Sequence, residues 1–236
     1  MARAVVLAAG RSRRMGEGVN KQLVLLAGRP VLAHSLAVLE ECTAVEEYVV
    51  VVAPGEEEKI SRLARAGWGC RKLAAAVPGG ETRQESVCRG LAALPPDTRI
   101  VVVHDGARPF ITVELVNRVI SAAALWGAAI PAVPVKETVK KAAGSFVAAT
   151  VDREGLWLAQ TPQAFFYSLL REAHLRAGKN GAAATDDAAL LEVLGTRVRI
   201  VEGSVFNIKI TTPEDLDLAR AIAAAPGGGA AGDPPQ

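Results

Sequence analysis

This sequence contains few cysteines and few histidines, and its net charge is small. It has three cysteines and three histidines among 236 residues, and its formal net charge at pH 7 is +2. Cys42, Cys70 and Cys88 are odd in number and form no CxxC pair, so neither a disulfide framework nor a structural zinc site is expected, and a reducing cytoplasm fits best. The small net charge argues against a nucleic-acid partner. Any anionic partner should be small and should meet a local group of cations.

Long hydrophobic runs are also absent, although 50% of the residues are hydrophobic. The most apolar stretch, residues 122–135, contains glycine and proline and is shorter than the ~20 residues that cross a bilayer. The first apolar run, residues 4–7, is too short for a signal peptide. We expect no membrane partner and a single α/β domain over residues 1–225, followed by a disordered Gly/Pro-rich tail at residues 226–236.

Short apolar strands alternate with helical patterns through most of the chain. β-Branched or apolar runs predict strands at residues 4–7, 48–53, 70–77, 100–103, 128–135, 198–202 and 206–210. Apolar spacing and capping residues predict helices at residues 30–41, 56–66, 82–94, 112–126, 162–177 and 185–194, and one that starts at Thr212 and Pro213. This alternation predicts right-handed crossovers in a doubly wound, mostly parallel sheet.

Residues 135–160 interrupt the alternation. Two strand-like segments, residues 137–141 and 146–152, are joined by a short segment that contains Gly144, which predicts a projecting hairpin. An isolated hairpin is marginally stable in water, so this β-arm, about residues 136–153, should pack on a second subunit. We therefore expect a homodimer.

The first predicted strand opens onto a small, cationic loop. Ala8, Ala9 and Gly10 are followed by three arginines and then by Lys21. Small residues let backbone N–H groups approach an anion closely, and guanidinium groups offer phosphate a forked donor. The spacing matches neither the dinucleotide fingerprint nor the common P-loop. A phosphate-handling loop is favoured, with a solvated basic loop as the alternative.

Polar residues also follow the other predicted strands. In open α/β sheets ligands bind outside the carboxyl ends of the strands, so the loops at residues 10–21, 79–86 and 105–108 should converge. Asp105 could bind a divalent cation beside phosphate oxygens, or could form an Asp-Gly turn. The turn that contains Arg83 could read the donors and acceptors of a heterocycle, or could only cap a helix.

Three other polar residues have an ordinary structural explanation. Lys209 lies between apolar neighbours, as a snorkelling surface lysine does. Asp186 and Asp187 precede a predicted helix, where carboxylates favour the N-terminus whether or not they bind a ligand. The histidines lack metal-ligand spacing, and no Ser/His/Asp nucleophilic set can be traced.

A set of short motifs, in order along nearly the whole chain, resembles the 2-C-methyl-D-erythritol 4-phosphate cytidylyltransferases of the non-mevalonate isoprenoid pathway. The motifs are LAAGRSRRM at 7–15, KQ at 21–22, GGETRQESV at 79–87, HDGARP at 104–109, VKETVK at 135–140, TVDREGLW at 150–157, TPQ at 161–163, TDD at 185–187 and NIKIT at 207–211. Each is weak alone, but their order and spacing are specific. The resemblance implies a Rossmann-like nucleotidyltransferase fold.

The resemblance also implies a reaction and a set of roles. CTP and a polyol phosphate would yield a CDP-alcohol and pyrophosphate, with Mg²⁺ required. The implied catalytic cations are Arg14, Lys21 and Lys209. The implied nucleotide-binding residues are Ala8, Ala9, Gly10, Gly80, Glu81 and Ser86. The implied substrate-binding residues are Asp105, which is also beside the metal, Arg108, Thr138, Arg153, Thr161 and Thr211, with Thr138 and Arg153 on an arm that reaches across a dimer.

Two departures from the family pattern are visible. Asn20 precedes Lys21 where proline is usual, which predicts a looser loop around Lys21. Gly106 stands where alanine is common. The nearest alternative function is the related ribitol-5-phosphate cytidylyltransferase, which differs in its acceptor. A non-catalytic nucleotide-binding protein is the alternative from another class, and the joint presence of the catalytic cations and Asp105 argues against it.

Overall fold

The computed structural model describes residues 1–10, 20–180 and 184–225. The strands in these ranges are β1 (Ala2–Leu7), β2 (Leu25–Leu26), β3 (Arg29–Pro30), β4 (Val45–Val52), β5 (Leu73–Pro78), β6 (Ile100–Asp105), β7 (Ala128–Pro134), β8 (Val139–Ala143), β9 (Phe146–Val151), β10 (Trp157–Ala159), β11 (Gln163–Phe166) and β12 (Arg199–Glu202). The helices are α1 (Val31–Glu41), α2 (Glu57–Arg62), α3 (Arg83–Ala92), α4 (Val113–Trp126), α5 (Tyr167–Asn180), α6 (Asp187–Val193) and α7 (Pro213–Ala224), and Leu63–Gly67 adds a π-helical turn after α2.

A mixed, mostly parallel sheet forms the centre of the fold. Its strands lie in the order β10-β7-β11-β6-β1-β4-β5, and β12 pairs with β7. Strands β6, β1, β4 and β5 run parallel, whereas β11 is antiparallel to both β6 and β7. The register places Leu7 beside both Asp105 and Val51, so the carboxyl ends of the parallel strands share one edge. The predicted doubly wound α/β architecture is confirmed.

Burial on both faces explains why the central strands are continuous apolar runs. In β1, Val6 faces the core that contains α1 and α4, while Val5 faces the core that contains α3, α5 and α6. Val50 and Val51 of β4 divide in the same way. Each fully buried valine contributes on the order of 2 kcal/mol of transfer free energy, which favours β-branched residues at every position of a covered strand.

The predicted helix boundaries at capping residues are confirmed. The side chain of Thr82 accepts a hydrogen bond from the backbone N–H of Glu85 at the start of α3. Thr212 and Asp215 form a capping box at α7. Helix α4 ends at Gly127, whose φ of 82° is the left-handed conformation that glycine adopts without strain.

Two predicted elements are wrong in type. Residues 163–166, expected to begin a helix, form β11 because they lie between β6 and β7, where backbone groups must join a ladder. Residues 206–210, expected to be a strand, form a loop that is tied to the fold by a hydrogen bond from Ile210 N to Ala107 O. The short strands β2, β3 and β10 were not predicted.

The hairpin arm is present as a separate two-stranded sheet of β8 and β9. Most of its side chains are exposed, including those of Phe146 and Val147. The exposed phenylalanine and valine give the hairpin an apolar surface that another chain could cover.

Among the described residues, no helix is long and apolar enough to cross a membrane.

Gly90 offers a direct test of how closely α3 packs on the sheet. A Cβ atom added at Gly90 would lie 2.3 Å from Val5 Cγ1 and 3.0 Å from Val51 Cγ2. We expect Gly90→Ala to lower the free energy of unfolding by about 1–3 kcal/mol, measured by urea denaturation, because an added methyl group overpacks a dense core.

The matched control is Gly178→Ala, because Gly178 is also helical but an added Cβ there meets nothing within 4 Å. That variant should gain roughly 0.5–1 kcal/mol from helix propensity. Equal effects of the two substitutions would contradict the packing described for α3.

Candidate active site

A cavity of about 760 Å³ lies at the carboxyl edge of the parallel strands. The loops that follow β1, β5 and β6 converge on it, as the sequence predicted, and the loop after β4 and Lys209, from the loop before α7, also line it. Its lining includes Ala9, Gly10, Lys21, Gln22, Gly79, Gly80, Glu81, Thr82, Arg83, Ser86, Arg89, Asp105, Ala107 and Lys209. The position is that expected of a ligand site in an open α/β sheet.

Small residues form one wall of the cavity because two backbones approach closely there. A Cβ at Gly79 would lie 2.3 Å from Ala9 Cβ, and Gly79 N donates a hydrogen bond to Val52 O at 2.7 Å. Ala8 is buried behind this wall. Any larger side chain at Gly79 would push apart the loops after β1 and β5, so the small residues set the shape of the wall.

The turn after β5 is held by its own side chains. Ser86 Oγ accepts a hydrogen bond from Gly80 N at 3.1 Å and donates one to Thr82 O at 2.9 Å. Glu85 Oε2 accepts from Glu81 N at 2.8 Å. These bonds fix the start of α3 at the cavity, and they explain why a serine and a helix cap occur together in this turn.

Asp105, the last residue of β6, is the centre of an ion cluster. Lys209 Nζ lies 2.7 Å from Asp105 Oδ2, Arg83 Nε 3.7 Å from Oδ1 and Arg108 Nε 3.9 Å from Oδ2. Burial by itself favours the neutral acid, but Lys209, Arg83 and Arg108 outweigh it and lower the pKa of Asp105 to about 2. The carboxylate is therefore ionised at neutral pH, and Lys209 is a partner of Asp105 rather than a snorkelling surface residue.

Neighbouring polar groups fix the backbone of this cluster. Thr161 Oγ1 accepts a hydrogen bond from Asp105 N at 3.0 Å and lies 3.0 Å from His104 Nδ1. Burial lowers the pKa of His104 to about 4, so its imidazole is neutral at physiological pH. Arg108 Nη1 donates to Asn207 O at 2.6 Å and so ties the loop after β6 to the segment that carries Lys209.

Asn20 holds the chain on either side of Lys21. Its side-chain Nδ2 lies 3.1 and 2.8 Å from the two carboxylate oxygens of Glu56, and its Oδ1 accepts from Gln22 N at 3.1 Å. Lys21 Cε lies 4.0 Å from the position of a Cβ at Gly10. These side-chain hydrogen bonds restrain residues 20–22, whereas residues 11–19 of the loop that was predicted to be looser lie outside the described residues.

The predicted site residues fall into three groups. Those that line the cavity are Ala9, Gly10, Lys21, Gly80, Glu81, Ser86, Asp105 and Lys209. Four others are not in this lining: Arg108 and Thr161 contact Asp105, Ala8 is buried, and Thr211 donates from Oγ1 to Asp215 Oδ2 at 2.6 Å. Thr138 and Arg153 are exposed near the base of the arm, and Arg14 lies outside the described residues.

Two arginines that line the cavity have contacts that the sequence did not predict: Arg89 was given no role, and Arg83 was considered only as part of a turn that could read a heterocycle or cap a helix. Arg89 Nη1 donates to Gly79 O at 2.9 Å, and Arg83 forms an ion pair with Asp187, with Nη2 2.8 Å from Oδ2. Burial disfavours the charged guanidinium, yet Asp187 and Asp105 raise the pKa of Arg83 above its usual value. One feature of the sequence could have indicated the role of Arg83. It lies in the first turn of a helix, where the helix macrodipole disfavours a cation, so a nearby carboxylate partner is expected.

The ion pairs continue from Arg83 into the core. His174 Nε2 lies 3.0 Å from Asp187 Oδ1, and His174 Nδ1 lies 3.3 Å from Cys88 Sγ. Both His174 and Asp187 are buried. Burial alone would lower the pKa of His174, but hydrogen bonds to Asp187 and Cys88 and the charge of Asp187 raise it to about 9.

Two carboxylates, Asp105 and Glu81, line the cavity, and Asp105 is the one that the sequence analysis proposed for metal binding. Among the described residues, no three His, Cys, Asp or Glu side chains are grouped so that they could hold a metal ion. Asp105 is ionised and lines the cavity. Mg²⁺ in nucleotide sites commonly takes one or two carboxylates and obtains its other ligands from phosphates and water, so Asp105 fits that cation but not a preformed protein cage.

Comparison with known proteins gives a consistent result. The family model described as 2-C-methyl-D-erythritol 4-phosphate cytidylyltransferase matches residues 2–225. The protein of that name from Pelotomaculum thermopropionicum is 56% identical over 220 residues, which cover 93% of this chain and 92% of the relative. The one from Geobacillus kaustophilus is 50% identical over 221 residues, covering 94% of this chain and 96% of the relative.

Solved structures agree with the sequence relatives. The crystal structure of 2-C-methyl-D-erythritol 4-phosphate cytidylyltransferase from Thermus thermophilus aligns with a TM-score of 0.77 at 39% identity, over 94% of this chain and 98% of that one. The 4-diphosphocytidyl-2C-methyl-D-erythritol synthase from Anaerococcus prevotii aligns with a TM-score of 0.82 at 31% identity, over 93% and 94% of the two chains.

The buried His174 predicts a pH dependence of stability. Its pKa is about 9 in the folded chain and about 6.5 in a model peptide, so the folded state binds the proton more tightly. The stabilisation of the folded state by protonated His174 is fully present below about pH 6.5 and is lost as the pH rises through about 9. Between these values we expect the unfolding free energy of the wild type to fall relative to His174→Gln, by on the order of 1–3 kcal/mol.

Chemical denaturation of both proteins at several pH values between 6.5 and 9 measures this difference. A second comparison with His34→Gln provides the control, because burial lowers the pKa of His34 from 6.5, so its contribution changes mainly below this pH range and the two stability curves should stay nearly parallel within it. Parallel stability curves for the wild type and His174→Gln would contradict a charged His174 in the folded protein.

Proposed function

The chain belongs to the 2-C-methyl-D-erythritol 4-phosphate cytidylyltransferase family, and from this premise we propose how its cavity works. The enzyme transfers the cytidylyl group of CTP to 2-C-methyl-D-erythritol 4-phosphate, giving the CDP-alcohol and pyrophosphate for isoprenoid synthesis. The observation that carries the proposal is the meeting of Lys21, Lys209, Arg83 and Asp105 in one cavity beside a wall of small residues.

The chemistry requires charge stabilisation rather than a protein nucleophile. A phosphate oxygen of the acceptor attacks the α-phosphorus of CTP, one P–O bond forms, and the bond to the bridging oxygen of pyrophosphate breaks. Negative charge grows on the non-bridging and leaving oxygens, where Lys21, Lys209 and Arg14 are proposed to act. Two unit charges ~4 Å apart interact by ~4 kcal/mol at an effective dielectric of about 20, so a few fixed cations lower the barrier substantially.

The remaining cavity residues position the two substrates. Ala8 to Gly10 and the turn that contains Gly80, Glu81 and Ser86 are proposed to receive the nucleotide, because small residues there allow close approach and helix α3 begins nearby. Thr161 contributes by orienting the backbone of Asp105. Bound Mg²⁺, held by Asp105 and substrate phosphates, would neutralise phosphate charge.

The acceptor is proposed to bind between two subunits. Arg108 lies 3.9 Å from Asp105 and Thr211 follows the cavity residue Lys209 by two positions, whereas Thr138 and Arg153 are exposed near the base of the β8–β9 arm. The exposed Phe146 and Val147 on that arm support a partner surface. We therefore propose a homodimer in which the arm of one subunit completes the acceptor site of the other.

A cytoplasmic location is supported by the free thiols of Cys42, Cys70 and Cys88.

Acceptor profiling tests the function. Pyrophosphate release from CTP is measured with 2-C-methyl-D-erythritol 4-phosphate and with ribitol 5-phosphate, then with ATP, GTP and UTP in place of CTP, each with Mg²⁺ and after EDTA treatment. We expect turnover with CTP, methylerythritol phosphate and Mg²⁺ only. Faster turnover with ribitol phosphate would favour the related enzyme, and no release with any acceptor would favour a nucleotide-binding protein.

Removal of either cavity lysine should reduce the rate of the chemical step. We expect Lys21→Ala and Lys209→Ala each to lower kcat by about 10²-fold or more, as loss of one preorganised donor does. Steady-state kinetics of folded variants measures this. Arg62→Ala is the control, since Arg62 is an exposed cation paired with Glu58 on α2, and it should leave kcat unchanged. Near-wild-type rates for the lysine variants would remove those assignments.

Arg153 should affect the acceptor rather than the nucleotide. We expect Arg153→Ala chiefly to raise KM for the phosphorylated alcohol, because a guanidinium group that binds the acceptor phosphate would be lost. Arg176→Ala, an exposed arginine paired with Glu172 on α5, is the control.

A rise only in KM for CTP would show that the arm has been assigned wrongly. Sedimentation of the full chain and of a variant lacking residues 136–153 accompanies this test. We expect a dimer for the first and a monomer for the second.

A further inference from the structure

Asp187 is a buried carboxylate that the proposed chemistry does not use. Only 1% of its side-chain surface is exposed, and its two oxygens have different partners. Oδ2 lies 2.8 Å from Arg83 Nη2, and Oδ1 lies 3.0 Å from His174 Nε2. A buried carboxyl group is costly to desolvate unless its oxygens are paired, and Arg83 and His174 provide this pairing.

Arg83 in turn lies between two carboxylates. Its Nη2 is in contact with Asp187, while its Nε remains 3.7 Å from Asp105 Oδ1, too far for a hydrogen bond. Asp105 is instead in close contact with Lys209, at 2.7 Å. A guanidinium group can bind a carboxylate through two parallel hydrogen bonds, and Arg83 makes neither of them with Asp105.

We propose that Asp187, backed by His174, is a positioning residue that holds Arg83 away from Asp105 and thereby keeps the Asp105 carboxylate in contact with Lys209 and open toward the cavity. This inference rests on the proposed function, in which Lys209 stabilises transferred charge and Asp105 faces the metal. It extends that function to three residues, Arg83, Asp187 and His174, whose contacts connect helices α3, α6 and α5.

The consequence of losing Asp187 follows from this competition. Without its partner at Nη2, Arg83 would close on Asp105 and occupy both carboxylate oxygens. Lys209 would then lose its close contact, and Asp105 would have no oxygen left for a cation. Asp187 would thus affect turnover without touching either substrate.

A crystal structure of Asp187→Asn tests the geometry independently of the reaction. Asparagine keeps the size of the side chain and removes its charge. We expect Arg83 to move within hydrogen-bond distance of Asp105, from the present 3.7 Å. An unchanged separation in the variant would overturn the proposal, whatever reaction the enzyme performs.

Kinetics in two backgrounds separates positioning from a general structural effect. We expect Asp187→Asn to lower kcat about 10-fold, as loss of a group that orients a functional residue does, with a smaller change in KM for CTP. In an Arg83→Ala background the same substitution should change kcat less than about twofold, because the group that closes on Asp105 is already gone. Equal losses in both backgrounds would overturn the proposal.

Asp186→Asn is the matched control. Asp186 caps α6 by accepting from Ala189 N at 3.0 Å and accepts from Gln163 Nε2 at 2.8 Å, and asparagine caps equally well. It should leave kcat unchanged.

If Asp187→Asn does not fold, His174→Gln replaces it in both backgrounds, because glutamine removes the positive charge that backs Asp187 but keeps a donor. A loss of kcat confined to the background that retains Arg83 supports the proposal, and equal losses overturn it.

If the wild type releases no pyrophosphate with any acceptor, the proposed function fails, and the crystal structure still decides the position of Arg83.

Discussion

The ion pair between Asp105 and Lys209 is the interaction on which the site depends. Asp105 ends a fully buried strand, so its carboxylate faces a region where an uncompensated charge would be costly. Lys209 at 2.7 Å, with Arg83 and Arg108 farther off, supplies the compensation and lowers the pKa of Asp105 to about 2. Because Lys209 comes from the loop before α7, the pair also joins β6 to the C-terminal part of the described chain at the cavity.

Close packing is the second constraint on the site. Gly79 lets the loop after β5 approach Ala9, and Gly106 leaves room beside Leu32, where an added Cβ would lie 2.7 Å from Leu32 Cδ1. Where the family commonly has alanine, this chain therefore has glycine, and the surroundings of Gly106 leave no room for a Cβ atom unless Leu32 moves. The cavity is defined by these contacts as much as by its charges, because a nucleotide needs backbone groups within hydrogen-bond reach.

Most of the fold follows from local patterns that the sequence carries openly. The last four residues of β4, residues 49–52, are a continuous run of valines because both faces are covered there, and helices such as α3 and α7 begin at threonine caps whose hydrogen bonds are local. Besides the short strands β2, β3 and β10, which were not predicted, two elements differ in type: β11 is a strand because it pairs with the strands on either side of it, and the segment around Phe206 forms a loop despite its apolar content. Local propensity has no information about such neighbours.

The sequence by itself determined the cationic loop after β1, the polar residues at the strand ends and the projecting arm, since each depends on residues close together in the chain. Three contacts depend on the tertiary structure alone. Lys209 forms an ion pair with Asp105, Asn20 restrains residues 20–22, and Arg83 lies between Asp187 and Asp105. The physical reason is desolvation. A buried charge must find an opposite charge or a donor, and which partner it finds depends on distances that only the folded chain sets.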